Sequence, residues 1–137
     1  MKKTSKIAMG IGTLIVATVA ASPALAEGSW TSYITGAKIG FESRDWADRD
    51  LDQVPTTVKF TGCSVSGTTF SSTGVTLYQD TLIPFFYTNH GLLTNTCNTV
   101  SWSQALGSGI YHFTIERING SSTTTRTFSA NTVVAGY

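Results

Sequence analysis

Residues 110–128 read IYHFTIERINGSSTTTRTF, and this run constrains the fold more than any other part of the chain. Tyr111, Phe113 and Ile115 alternate with His112, Thr114 and Glu116. A period of two puts one side of an extended strand on a core, where a helix would need apolar residues three and four apart. Asn119-Gly120 follows, and then a second strand-like run from Thr123 to Phe128. An Asn-Gly step between two such runs is the strongest short hairpin signal, because both central residues of the turn need positive φ. The stretch therefore predicts a β-hairpin, with His112 on the solvent side.

The same period recurs along the chain, and no segment sustains helical spacing. Ile39 and Phe41 alternate with Lys38, Gly40 and Glu42; Val58 and Phe60 with Thr57, Lys59 and Thr61. Val75 and Leu77 alternate with Thr76 and Tyr78, and Val100 and Trp102 share a face. Thr132 to Tyr137 reads as a last strand. Leu82 to Tyr87 is apolar but holds Pro84, which suits an edge strand or a bulge rather than a central strand. The expected fold is all-β: a single-domain two-sheet β-sandwich of seven to eight short antiparallel strands, with a small β-barrel as the alternative.

The first 26 residues stand apart. Lys2, Lys3 and Lys6 precede an apolar run from Ile7 to Ala20, and Pro23 is followed by Ala24-Leu25-Ala26. This is the pattern of a secretory signal peptide, and a bilayer-spanning helix needs a longer apolar run. The expectation is a secreted, extracellular domain over residues 27–137, with no membrane association after cleavage. In that segment Lys38, Arg44, Arg49, Lys59, Arg117 and Arg126 face eight carboxylates, a net charge near −2. Nucleic acid binding wants a basic face, and none is expected. Cys63 and Cys97 are the only cysteines, and an oxidising compartment favours joining them in one disulfide.

Chemistry-bearing motifs are scarce. There is no His-Glu-x-x-His zinc signature and no Gly-x-Ser-x-Gly nucleophile elbow. Five of the eight carboxylates, Glu42, Asp45, Asp48, Asp50 and Asp52, crowd into FESRDWADRDLDQ with Arg44 and Arg49 between them. Asp48-x-Asp50-x-Asp52 begins like an EF-hand loop, but Gln53 stands where glycine is needed and Lys59 where the closing glutamate is needed. The arginines can neutralise the carboxylates, so neither a metal nor any other cofactor is expected, with an irregular Ca²⁺ site built from Asp45, Asp48, Asp50 and Asp52 as the alternative. Aromatic and arginine side chains are common at binding hot spots. The expected partner-binding residues are Trp30, Tyr33 and Ile34 on the N-terminal arm, mobile from Glu27 to Ser32 before Tyr33-Ile34 enters the fold, and Arg44, Asp45, Trp46, Asp48, Arg49, Asp50 and Asp52 in the charged loop.

Gly40–Trp46 (GFESRDW), Val58–Val65 (VKFTGCSV) and Ile110–Gly120 (IYHFTIERING) together resemble a group of small secreted proteins of streptomycetes and related actinobacteria. Some of these look similar to the small adaptor subunit of secreted umbrella-shaped toxin particles. The resemblance implies a non-enzymatic β-protein that joins a repeat-bearing toxin stalk to a lectin-like subunit in bacterial competition. The function expected is thus a secreted protein-binding module. Two other classes stand beside it. A secreted inhibitor of an extracellular hydrolase would need a rigid exposed loop, for which Leu82 to Phe86 or the segment around Cys97 could serve. A carbohydrate- or cell-surface-binding module would need exposed tryptophans.

If the export reading is right, the intact mass of the secreted protein starts at or within two residues of Glu27, and alkylation without reduction adds no label. Two reactive thiols would remove the bridge from the account.

Overall fold

The computed structural model describes residues 27–103 and 106–137. The expected signal peptide, residues 1–26, lies outside the described residues. The described chain forms nine strands: β1 (Ser29–Ala37), β2 (Phe41–Glu42), β3 (Trp46–Asp48), β4 (Thr57–Val65), β5 (Thr73–Asp80), β6 (Tyr87–Asn95), β7 (Thr99–Ser101), β8 (Gly109–Ile118) and β9 (Phe128–Gly136). They make two antiparallel sheets. Sheet A has the order β1-β9-β4-β7 and sheet B the order β2-β8-β5-β6, with β3 also paired to β8. Neither sheet closes on itself, so the fold is a sandwich and not a barrel.

Alternating residues from each sheet meet in the middle, as in other sandwiches. Sheet A contributes Val58, Phe60, Phe128, Ala130 and Val133, all within 1% of full burial; sheet B contributes Val75, Leu77, Tyr111, Phe113 and Ile115. Phe60 packs on Phe113 at 5.8 Å and on Phe128 at 5.3 Å between ring centroids.

Three expectations change. The Asn119-Gly120 turn is present, with φ of 50° and 79° and reciprocal Ile118–Ser121 backbone bonds of 3.0 Å. It does not close a hairpin, because β8 pairs in sheet B and β9 in sheet A. Asn119 instead ties the turn to the segment before β5: its Oδ1 accepts from Ser71 N at 2.8 Å and its Nδ2 donates to Thr69 O at 2.9 Å. Paired strand begins only at Phe128, not at Thr123.

The N-terminal arm is also not a free arm. Ser29 to Ser32 pairs with Val133 to Gly136 of β9. Register shifts fall between Ser32 and Ile34 and between Ile34 and Ala37, so the buried positions are Trp30, Ile34 and Ala37. Bulges of this kind break the period of two, which is why no alternation announced the strand. His112, third, is buried at 4% exposure because the rings of Tyr78 and Tyr87 cover it, at 5.6 and 5.2 Å.

Cys63 and Cys97 form the disulfide, with Cα atoms 5.8 Å apart. Cys63 lies in β4 of sheet A, and Cys97 lies where the chain leaves β6 of sheet B for β7 of sheet A. Fully buried Asn95 shapes that crossing: its Oδ1 accepts from Cys97 N at 2.8 Å and Asn98 N at 3.0 Å, and its Nδ2 donates to Asn98 O at 2.9 Å. The covalent loop spans 34 positions, for which chain entropy predicts about 4 kcal/mol of stabilisation. The Cys63→Ser/Cys97→Ser double variant is expected to lose about that much in urea unfolding, and a loss under about 1 kcal/mol would show that the buried crossing holds without it.

Candidate functional site

Among the described residues, the connection between β5 and β6 is the most exposed apolar feature. Residues 81–89 are all exposed, including Leu82 at 104% and Phe85 at 91%. Ile83, Phe86 and Tyr87 stand beside them, at 61, 64 and 47%. The edge strand or bulge expected for Leu82–Tyr87 is instead a hairpin tip, closed by the Asp80–Tyr87 pair.

Its own bonds make this tip rigid. Phe86 N donates to Ile83 O at 3.2 Å across Pro84-Phe85. Pro84 suits the second position of such a turn and a positive φ the third, the pattern of type II. Glycine normally takes that third position, yet Phe85 holds it at φ 65°. A bulky residue there stores about 1–3 kcal/mol of backbone strain. Thr81 closes the base: its hydroxyl donates to Phe86 O at 2.8 Å, and its N–H reaches the same oxygen at 3.3 Å. The result is an aromatic side chain held out in water on a fixed, strained backbone.

The charged loop lies at the same end of sheet B. Asp48 pairs with Gly109 on β8, and Gln79 of β5 pairs with Tyr111 two residues further along that strand. Here the carboxylates serve the backbone. Asp48 Oδ1 accepts from Asp50 N at 2.8 Å, and Asp52 Oδ1 from Val54 N at 3.0 Å. Glu27 accepts from Arg49 N at 3.0 Å and Leu51 N at 2.8 Å. Asp50 and Gln53 adopt positive φ of 55° and 57°, so these bonds hold turns that the backbone would not choose alone. Among the described residues no group of three or more His, Cys, Asp or Glu is placed to hold a metal ion.

The expected partner-binding residues divide between core and surface. Trp46 is a core residue at 4% exposure, stacked on Tyr111 and Tyr137. Trp30 is buried against Phe113 at 6.2 Å, under the Arg44 guanidinium at 5.5 Å from its ring centre. Ile34 and Asp48 are buried at 5 and 8%. These four cannot form an exposed docking face: Trp30, Ile34 and Trp46 are packed into the core between the sheets, and Asp48 is buried with its carboxylate accepting from Asp50 N. Tyr33, Arg44, Asp45 and Arg49 remain exposed, with Asp50 and Asp52 partly so. Trp30, Tyr33, Ile34 and Arg44 do come together around a crevice of about 110 Å³ where the β1 edge meets Phe41 and Ser43.

A second cluster went unforeseen. On the outer face of sheet B, His112 Nδ1 lies 3.4 Å from Asp80 Oδ1 and 3.7 Å from Asp45 Oδ1. Tyr78 donates to Glu116 at 2.5 Å, and that bond to a carboxylate pushes its phenol up to about 12. A histidine facing carboxylates is half of a catalytic triad, but this ring is closed over by two tyrosines. The geometry is that of a brace between β8 and the base of the exposed tip.

Burial pushes the Asp48 carboxyl above its usual range, and the charges of Glu27, Asp50 and Asp52 push the same way against the Asp50 N–H. A carboxyl raised on folding holds its proton better in the fold than in the unfolded chain, so its ionisation removes stability as pH rises through the folded value. Asp48→Asn keeps an acceptor oxygen and removes the charge. It is expected to raise the melting temperature at pH 7, with the gain vanishing below the ordinary Asp range. A gain independent of pH would rule out this account.

No protein-family model, curated protein or solved structure matches this chain, and its own residues carry the functional reading.

Proposed function

We propose that this protein is a secreted, non-enzymatic protein-binding module whose principal contact is the β5–β6 tip. One observation carries the reading: a run of large apolar side chains exposed to water on a strained, internally braced turn. Exposed apolar surface of this kind is a cost to a soluble chain and marks interaction sites. Pre-organisation reduces what must be ordered on binding. Backbone strain in a bulky residue persists only when its surroundings enforce it, and such strain collects at functional segments.

Within that reading, the resemblance of Gly40–Trp46, Val58–Val65 and Ile110–Gly120 to actinobacterial toxin-particle adaptors favours an adaptor subunit. Such a role needs a second surface, and the crevice beside Tyr33 and Arg44 offers one. The rigid tip equally supports the second reading, an inhibitor that inserts a fixed loop into an extracellular hydrolase. A sugar-binding role has less support, since Trp30, Trp46 and Trp102 are all buried and offer no free ring face.

The test is recovery of partners from the culture supernatant of the native host, using the tagged protein and its Phe85→Asn variant. Asparagine tolerates positive φ better than phenylalanine does. The melting temperature is therefore expected to hold or rise. Loss of a hot-spot aromatic is expected to cost about 2 kcal/mol, roughly thirtyfold in affinity. Unchanged recovery with Phe85→Asn would exclude the tip as the contact. Recovery of large secreted chains favours the adaptor reading, and recovery of a hydrolase with lost activity favours the inhibitor.

A further inference from the structure

The tip does not stand alone at its end of the sandwich. Exposed Leu51, at 74%, lies between Asp50 and Asp52 in the charged loop, and Ile110 is 40% exposed on β8 beside it. In sheet B the order from this loop to the tip is β3, β8, β5, β6. Three strand spacings separate its two sides, about 15 Å, within the span of one partner surface. Apolar side chains therefore recur across the whole end.

Charge is divided along the same axis. Glu27, Asp48, Asp50 and Asp52 lie in or against the charged loop. Asp80 closes the tip, with its Oδ1 3.4 Å from His112 Nδ1. Against these five carboxylates the charged loop sets two arginines, Arg49 and Arg44, the latter laid over the Trp30 ring, and Lys59 lies on β4 of sheet A. Lys38, Arg117 and Arg126 belong to the other end: Lys38 lies in the β1–β2 turn, Arg117 pairs with Gly74, and Arg126 donates to Ser66 O at 2.8 Å. The molecule is polarised, with an acidic end that is also its apolar end.

Resting on the reading of the tip as a protein contact, we propose the chemistry of what it meets: a protein cleft with an apolar floor and a rim of lysine and arginine. The floor takes Leu82, Phe85 and Phe86, and the rim faces Asp50, Asp52 and Asp80. Complementary rims of this kind steer encounter and reject wrong partners more than they add affinity. An anionic bilayer is disfavoured, since five carboxylates would approach it along with the apolar tip. A second copy fits no better. Its acidic end repels this one, and its basic end offers Leu92, 38% exposed beside Gly74, in place of a broad apolar floor.

The test uses a displayed library of random peptides, panned on the disulfide-intact exported protein. Selected peptides are expected to combine aromatic or aliphatic residues with lysine or arginine and to lack acidic ones. Their binding should fall at least tenfold between 50 and 300 mM salt and at least tenfold in Asp50→Lys/Asp52→Lys, be abolished by Phe85→Ser, and be unchanged by Arg126→Glu. Salt-indifferent peptides without cations, still lost with Phe85→Ser, would overturn the basic rim while leaving the tip as the contact. Peptides indifferent to Phe85→Ser would overturn the tip itself, and with it the proposed function. Vesicles of phosphatidylcholine, alone and with phosphatidylglycerol, are expected to leave the protein in solution, and sedimentation to show a monomer. Tip-dependent vesicle binding, self-association through the tip, or no peptide enrichment would each overturn the proposal.

Discussion

Phe113 is held between Trp30 at 6.2 Å and Phe60 at 5.8 Å, and through it sheet B is joined to both β1 and β4 of sheet A. The contact continues in one direction from Phe60 to Phe128 and Phe70, and in the other from Trp30 to Trp46, Tyr111 and Tyr137. Aromatic pairs add about 0.5–1.5 kcal/mol each beyond the area they bury. A chain of them along the interior explains how a short sequence, poor in large aliphatic residues, holds two sheets together. The two features that reach outward depend on it. Trp46 anchors the charged loop from below, and Tyr111 donates to Leu106 O at 3.0 Å and Gly107 O at 2.5 Å, fixing the segment between that loop and the tip.

Much of the fold was legible because its central strands obey one rule. β4 and β8 have neighbours on both edges and one face on the core, so Val58, Phe60, Tyr111, Phe113 and Ile115 alternate cleanly. The rule fails where geometry departs from it. β1 is an edge strand with two register shifts, and its buried residues fall at Trp30, Ile34 and Ala37. The Asn119-Gly120 turn could be read from two residues, but which sheet the next strand joins depends on partners far away in sequence. His112 has the phase of an outward residue; its burial comes from Tyr78 and Tyr87, and no local pattern carries that.

The site was less legible for a related reason. An acidic stretch looks the same whether its carboxylates hold a metal, a partner or their own backbone. The Asp48–Asp50 and Asp52–Val54 bonds are Asx turns, and aspartates recurring at alternate positions of a loop are the signal that could have suggested them. At the tip, the sequence offered a proline among apolar residues and left open whether they faced a core. A hydrogen-bonded turn with every side chain in water is a property of the folded neighbourhood, with Thr81 as its keystone.

Gly28 and Tyr137 exchange backbone bonds of 2.7 and 3.0 Å, and the tyrosine ring lies so close over the glycine that a β-carbon there would strike it. The two ends of the described chain thus lie side by side, at the acidic end of the sandwich. Anything attached to either one, such as an affinity tag or a fluorescent domain, hangs beside the proposed docking surface. A circular permutant avoids this. A few glycines can bridge residues 137 and 27, and new ends can open in the largely exposed serine- and threonine-rich segment 121–126 at the far end, leaving the handle on one pole of the molecule and the tip unobstructed on the other.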